Sequence, residues 1–143
     1  MADTLQPPET APADGPLILV VEDDAPLARL IEALLDSAGY RVISAGDGER
    51  ALESVRSDHP ALVLLDLTLP KLDGWEVLER LRAAGGCRPP VILFTGHHAA
   101  LDRALEAGAA AAILKPFDVD DLLNTVERLL PEGAEPPRAT GRS

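Results

Sequence analysis

Ala61-Leu62-Val63-Leu64-Leu65-Asp66 holds five apolar residues in a row and then a carboxylate. The run is too short for an ordinary helix and does not alternate, so it reads as a strand, Ala61–Leu65, buried on both faces. Pro60 stands just before it, and the loop Leu67-Thr68-Leu69-Pro70 just after it exposes Asp66. The same grammar recurs along the chain. Glu22 and Asp23 follow the apolar run Leu17–Val21, Thr95 follows Val91–Phe94, and Lys115 follows Ile113-Leu114. Five polar residues thus stand at the carboxyl ends of four expected strands.

Helical patterns lie between these strands. Asp24 is an expected helix cap with Pro26 in the first turn, and Leu27, Leu30, Ile31, Leu34 and Leu35 form one apolar stripe that ends at Gly39. Arg41–Ser44 is a short second strand. Glu49–Ser57, with Ala51, Leu52 and Val55 on one face, and Gly74–Ala84, with Val77, Leu78 and Leu81 inward, are helices. The stretch Leu101–Leu114 admits two readings. Its alanine run, Ala109 to Ala112, favours helix by propensity, whereas strand–helix alternation favours a helix to Ala107, a stop at Gly108 and a short strand to Leu114. The second is adopted. Asp118 caps a last helix that carries Val119, Leu122, Leu123, Val126 and Leu130 on one face. Five strands alternating with five helices imply an α/β fold, a parallel sheet covered on both faces.

The 143 residues suit one domain, Leu17 to Leu130, and 46% apolar content supports a real core. Residues 1–16 and 131–143 are rich in proline and lack apolar periodicity, so both are expected to be flexible tails. A net charge of −11 argues against nonspecific binding to nucleic acid or anionic membranes. One cysteine, Cys87, excludes an internal disulfide and fits a reducing compartment. The acidic, proline-rich N-terminus is unlike a signal peptide, and no apolar run reaches the roughly 18 residues of a membrane span, so a cytoplasmic location is expected.

At the carboxyl edge of a parallel sheet, three acids, a hydroxyl and an amine make a site for a divalent cation and a phosphoryl group. Close carboxylates repel one another, and a hard cation such as Mg²⁺ relieves that repulsion. Glu22 and Asp23, adjacent in extended backbone, point apart, so one can face a metal while the other supports it. Asp66, central in the chain's strand order, is the candidate nucleophile, since a carboxylate can itself accept a phosphoryl group. Lys115 can pair with Asp66 at rest and with a phosphoryl oxygen later, and Thr95 can donate its hydroxyl to another.

Val20-Val21-Glu22-Asp23-Asp24, Leu65-Asp66-Leu67-Thr68-Leu69-Pro70 with Asp73-Gly74, Phe94-Thr95-Gly96 and Lys115-Pro116-Phe117 occur in this order over Leu17–Leu130. Together they resemble the receiver domain of two-component response regulators. The resemblance implies a doubly wound, flavodoxin-like (βα)5 sheet of order 2-1-3-4-5. It implies that Asp66 accepts a phosphoryl group from a histidine kinase or histidine phosphotransfer protein. It further implies Mg²⁺ held by Asp23, Asp66 and the backbone carbonyl of Thr68 with Glu22 in support, Thr95 and Lys115 as readers of the phosphoryl group, and a cis bond between Lys115 and Pro116. Thr68 and His97, two residues after Asp66 and Thr95, are places that tune acyl phosphate hydrolysis in the family.

Two features depart from the family pattern. Ala112 stands three residues before the lysine, where many receivers carry an aromatic residue that changes rotamer, and the stretch from Thr95 to Lys115 is slightly short. The expected readout is therefore unusual. Phe94 and Phe117 are expected to be packed, Trp75 to pack or face a partner, and His97-His98 to be solvated rather than a metal site. The expected function is a phosphoacceptor switch, not an enzyme beyond its self-catalysed phosphorylation and dephosphorylation. It would stand alone, dock to an unknown downstream protein and make no direct contact with nucleic acid or membrane. The competing readings are a pseudo-receiver docking module and a phosphatase of the haloacid dehalogenase type, to whose first motif Asp66-Leu67-Thr68 bears a faint likeness.

Overall fold

A computed structural model describes residues 15–67, 74–83 and 89–130. Residues 1–14 and 131–143 of the two expected tails lie outside the described residues, as do Thr68, Asp73 and Cys87. Gly15 and Pro16, assigned to the N-terminal tail from sequence, are buried, and their carbonyls accept hydrogen bonds from the Arg41 side chain (2.7 Å) and backbone N–H (2.9 Å).

Strands and helices alternate throughout: β1 (Leu17–Val21), α1 (Ala25–Ser37), β2 (Arg41–Ala45), α2 (Gly48–Asp58), β3 (Leu62–Asp66), α3 (Gly74–Ala83), β4 (Val91–Thr95), α4 (Ala99–Glu106), β5 (Ala111–Leu114) and α5 (Val119–Leu129). All strand pairings are parallel, and the sheet order is β2-β1-β3-β4-β5. The order reverses between β1 and β3, which opens a crevice at their carboxyl ends.

Side-chain alternation sorts the central strands into two cores. Leu19, Val21, Val63, Leu65 and Leu93 face one side and pack with Val77, Leu78 and Leu81 of α3 and Ala104 of α4. Ile18, Val20, Leu62, Leu64, Ile92 and Phe94 face the other and pack with Ile31 and Leu35 of α1 and Leu122 and Val126 of α5. A strand with apolar residues on both faces is therefore a strand with a helical layer on each side. The edge strands are less covered: Arg41 and Ser44 of β2 are exposed, and all four residues of β5 are half-buried.

Local signals explain the element ends. Asp24 accepts from Leu27 N–H at 3.2 Å and Asp118 from Asp120 N–H at 2.8 Å, each capping its helix as expected. Asp47, which carried no reading from sequence, caps α2 by accepting from Arg50 N–H at 2.9 Å. Gly39 (φ 100°) and Gly108 (φ 108°) follow α1 and α4 in the left-handed region, where a side chain is disfavoured. His59 ends α2 with a left-handed backbone of its own (φ 52°), a role that its sequence does not announce. The alternation reading of Leu101–Leu114 agrees with α4 and β5. The expected α1 stripe is too wide: Leu30 is 51% exposed. At about 100° per residue, Leu30 lies roughly 130° from the centre of the face formed by Ala28, Ile31 and Leu35.

Candidate functional site

The sheet register places the polar residues. Val21 is opposite Leu65, Asp66 opposite Phe94, and Thr95 opposite Leu114. Glu22, Asp66, Thr95 and Lys115 are therefore each at or one step beyond a paired strand end. Strands β3 and β4 each run one residue further than the sequence reading, so Asp66 and Thr95 are terminal strand residues rather than loop residues. The ladder continues past them through Leu67 N–H to Phe94 C=O at 3.0 Å and Lys115 N–H to Thr95 C=O at 2.7 Å. Asp66 is consequently held on a hydrogen-bonded backbone and is only 3% exposed.

Glu22, Asp23 and Asp66 each offer a carboxylate oxygen within 4.8 Å of the others. Glu22 is buried and Asp23 exposed, as expected of neighbours in extended backbone. Lys115 bridges the cluster, with Nζ 3.2 Å from Asp66 Oδ1 and 3.3 Å from Glu22 Oε1. The contact with Asp66 was legible from sequence, whereas that with Glu22 was not. Glu22 Oε2 also accepts from Asp24 N–H at 3.2 Å, and Glu22 N–H donates to Ala45 C=O at 3.1 Å. Lys115-Pro116 is a cis peptide, as the resemblance implied.

Burial pushes the Glu22 carboxyl up to about 7, and the negative charge of Asp66 adds to the effect. Lys115 and the Asp24 N–H pull it back only in part. Burial alone would lower Lys115, but the Asp66 and Glu22 carboxylates outweigh it and hold the amine above its ordinary value. One lysine thus does not neutralise the acids. The uncompensated charge, together with an all-oxygen donor set, suits a hard divalent cation with retained waters.

Thr95 is buried at the end of β4, and its Oγ1 accepts from His97 N–H at 3.0 Å. The hydroxyl proton stays available to a second acceptor. His97 and His98 are exposed, and among the described residues neither belongs to a cluster able to hold a metal. Phe94 and Phe117 stack at 5.6 Å between centroids and are packed as expected. Gly74 lies against the acceptor strand. A Cβ there would sit 2.6 Å from Leu67 Cα and 2.8 Å from the Asp66 carbonyl oxygen, so a side chain is sterically excluded. The Thr68 carbonyl expected among the metal ligands lies outside the described residues.

A doubly wound parallel sheet that gathers carboxylates, a hydroxyl and a lysine at its switch point belongs to the class of α/β domains whose ligand crevice lies at the carboxyl ends of the strands. Comparison narrows the class: residues 18–127 match the family model described as the response regulator receiver domain, and the chain belongs to that family. It is 43% identical over 115 residues to a probable transcriptional regulator, ycf27, of Porphyridium aerugineum, covering 79% of this chain and 47% of that protein. It is 39% identical over 122 residues to the DNA-binding response regulator MtrA of Mycobacterium leprae, covering 84% of this chain and 53% of that protein. The chain thus spans about half the length of the curated relatives it matches. Among solved structures, the receiver domain of the sensor histidine kinase PA1611 of Pseudomonas aeruginosa, with a magnesium ion coordinated in its active-site cleft, superposes with a TM-score of 0.73 at 36% identity. That match covers 80% of this chain and 97% of the other. The receiver domain of the Francisella response regulator 1452 gives a TM-score of 0.76 at 28% identity, covering 80% of this chain and 96% of the other.

Proposed function

We propose that this receiver domain is a phosphoacceptor switch that takes a phosphoryl group on Asp66. The observation that carries this reading is the cluster Glu22, Asp23, Asp66 and Lys115 at the switch point, with Asp66 fixed at the end of a central strand. The donor is a phosphohistidine on a histidine kinase or histidine phosphotransfer protein. An Asp66 carboxylate oxygen attacks phosphorus, the N–P bond of the donor breaks, and the imidazole nitrogen regains its lone pair as the acyl phosphate forms. Asp23, Asp66 and the Thr68 carbonyl would hold Mg²⁺, with Glu22 in support, and the ion supplies charge neutralisation for the phosphoryl oxygens when bound. Lys115 exchanges its contact with Asp66 for one with a phosphoryl oxygen, and the Thr95 hydroxyl donates to another. Thr68 and His97, two residues after Asp66 and Thr95, are the positions that tune acyl phosphate hydrolysis on this reading.

The domain acts stoichiometrically rather than by turnover, in the cytoplasm. No helix among the described residues is long and apolar enough to cross a membrane. Its output is to a protein partner. DNA binding, which the name of MtrA states for that protein, is assigned here to no residue of the receiver. Incubation with Mg²⁺ and acetyl phosphate followed by intact mass spectrometry tests the reading. One phosphoryl group is expected on the wild type and none on Asp66→Asn. An adduct that survives the substitution refutes it, and sustained hydrolysis of phosphate esters would favour a phosphatase instead.

A further inference from the structure

Helix α4 starts four residues after Thr95, at the end of β4 that borders the Asp66 site. On β5, the residue packed against the core beneath α3 and α4 is Ala112, which has no side-chain rotamer to change. Trp75 of α3 is half-buried and packs against the same core cluster. The guanidinium of Arg103 on α4 lies 4.1 Å from the centroid of the Trp75 ring. This is a cation–π contact that ties the exposed side of α4 to α3.

Both ends of this contact lead back to the site. Trp75 follows Gly74, whose N–H donates to Leu67 C=O at 2.9 Å and where a Cβ would sit 2.8 Å from the Asp66 carbonyl oxygen. The helix that carries the ring thus starts against the strand that carries Asp66. Arg103 sits one turn into α4, and that helix begins from the Thr95 loop. Thr95 Oγ1 accepts from His97 N–H, His97 C=O accepts from Ala100 N–H at 3.0 Å, and His98 C=O accepts from Leu101 N–H at 3.1 Å. No side chain caps α4 at His98, so this backbone relay is its anchorage at that end. A hydroxyl drawn toward a phosphoryl oxygen while still accepting from His97 pulls the start of α4 with it. The ring stays behind with α3.

We propose that the Trp75–Arg103 stack couples the state of the Asp66 site to the position of α4, Trp75 being the fixed positioning residue and Arg103 the part that shifts. The inference rests on the phosphoacceptor reading and adds its route of output. Two arrangements, stacked and unstacked, differ in energy by a single cation–π contact at a half-exposed site. Removing it should therefore reduce the coupling about two- to five-fold.

Trp75 is the one tryptophan of the chain, so its emission reports on the stack directly. The test uses the full chain with Mg²⁺ and acetyl phosphate. It has three readouts: phosphorylation by intact mass, tryptophan emission, and hydrogen exchange over residues 99–106. Phosphorylation of the wild type should shift the emission and change exchange in α4. Arg103→Gln, a substitution at an exposed position, should be phosphorylated to the same extent while its exchange response falls about two- to five-fold. Arg103→Lys, which keeps a cation over the ring, should restore part of the response. Trp75→Leu should match Arg103→Gln. Full phosphorylation with a wild-type exchange response in Arg103→Gln overturns the proposal and leaves the phosphoacceptor reading intact. So does a phosphorylated wild type whose emission and α4 exchange do not change. No adduct on the wild type overturns both, and the mass measurement tells the cases apart.

Discussion

Replacing Glu22 by glutamine should stabilise the metal-free protein at neutral pH and above, and the gain should itself depend on pH. Glutamine imitates the protonated glutamic acid in shape and keeps an oxygen for the Asp24 N–H. The wild-type carboxyl is raised from 4.5 to about 7 by burial and by Asp66. Between these values the folded chain holds a proton that the unfolded chain has released, so wild-type stability falls as pH rises. The contribution is fully present below 4.5, declines through the interval and is lost above about 7. The gap corresponds to about 3 kcal/mol at 1.36 kcal/mol per pH unit. Lys115 does not itself titrate in this window, because its amine is held above an already high ordinary value. Urea unfolding in EDTA from pH 4.5 to 8, followed by circular dichroism, measures the difference between the two proteins. That difference should be near zero at the acid end and approach about 3 kcal/mol in favour of Glu22→Gln at pH 8. A constant difference across the range, or a wild type more stable than the variant at pH 8, would refute the reasoning. Either result would mean that the acids are already neutralised without a metal.

Two further substitutions probe how the site is mounted. Gly74→Ala forces a methyl group against the Asp66 carbonyl and Leu67 Cα and should destabilise the fold by about 1–3 kcal/mol, read as a lower urea midpoint, with slower phosphorylation of Asp66 by acetyl phosphate. Asp118→Ala removes the acceptor for Asp120 and Asp121 N–H at the start of α5 and should cost about 1 kcal/mol by the same unfolding measurement, with phosphorylation unchanged.

The parts of this fold that local chemistry dictates were legible in the sequence. Continuous apolar runs such as Leu62–Leu65 announced central strands, Asp24 and Asp118 announced caps, and Gly39 and Gly108 announced helix ends. The alanine run before Lys115 became a strand because β4 offers its edge at Ile92–Thr95, a tertiary effect that outweighs helix propensity. What was missed depends on partners distant in sequence. Leu30 follows the helical period yet falls outside the face that the sheet covers. Glu22 was read as a supporting acid, and its direct pairing with Lys115 arises only when strands β1 and β5 deliver both residues to the same crevice. Trp75 carried no sign of Arg103, because a cation–π pair between two helices has no period and no motif. Ala112 marks a place on β5 that carries no aromatic rotamer.

The strand that carries Asp66 has a mechanical consequence. It is paired on both sides, with β1 and β4, and its hydrogen bonding continues one residue past the acid through Leu67. Such a support has little compliance, so a new charge on Asp66 cannot be absorbed by recoil of its own backbone. On the proposed reading, the displacement would go instead to the softest neighbours. One is half-exposed Lys115, one residue beyond the edge strand, and the other is the uncapped start of α4. On that reading the stiffness of the acceptor, as much as the chemistry around it, would direct the signal outward.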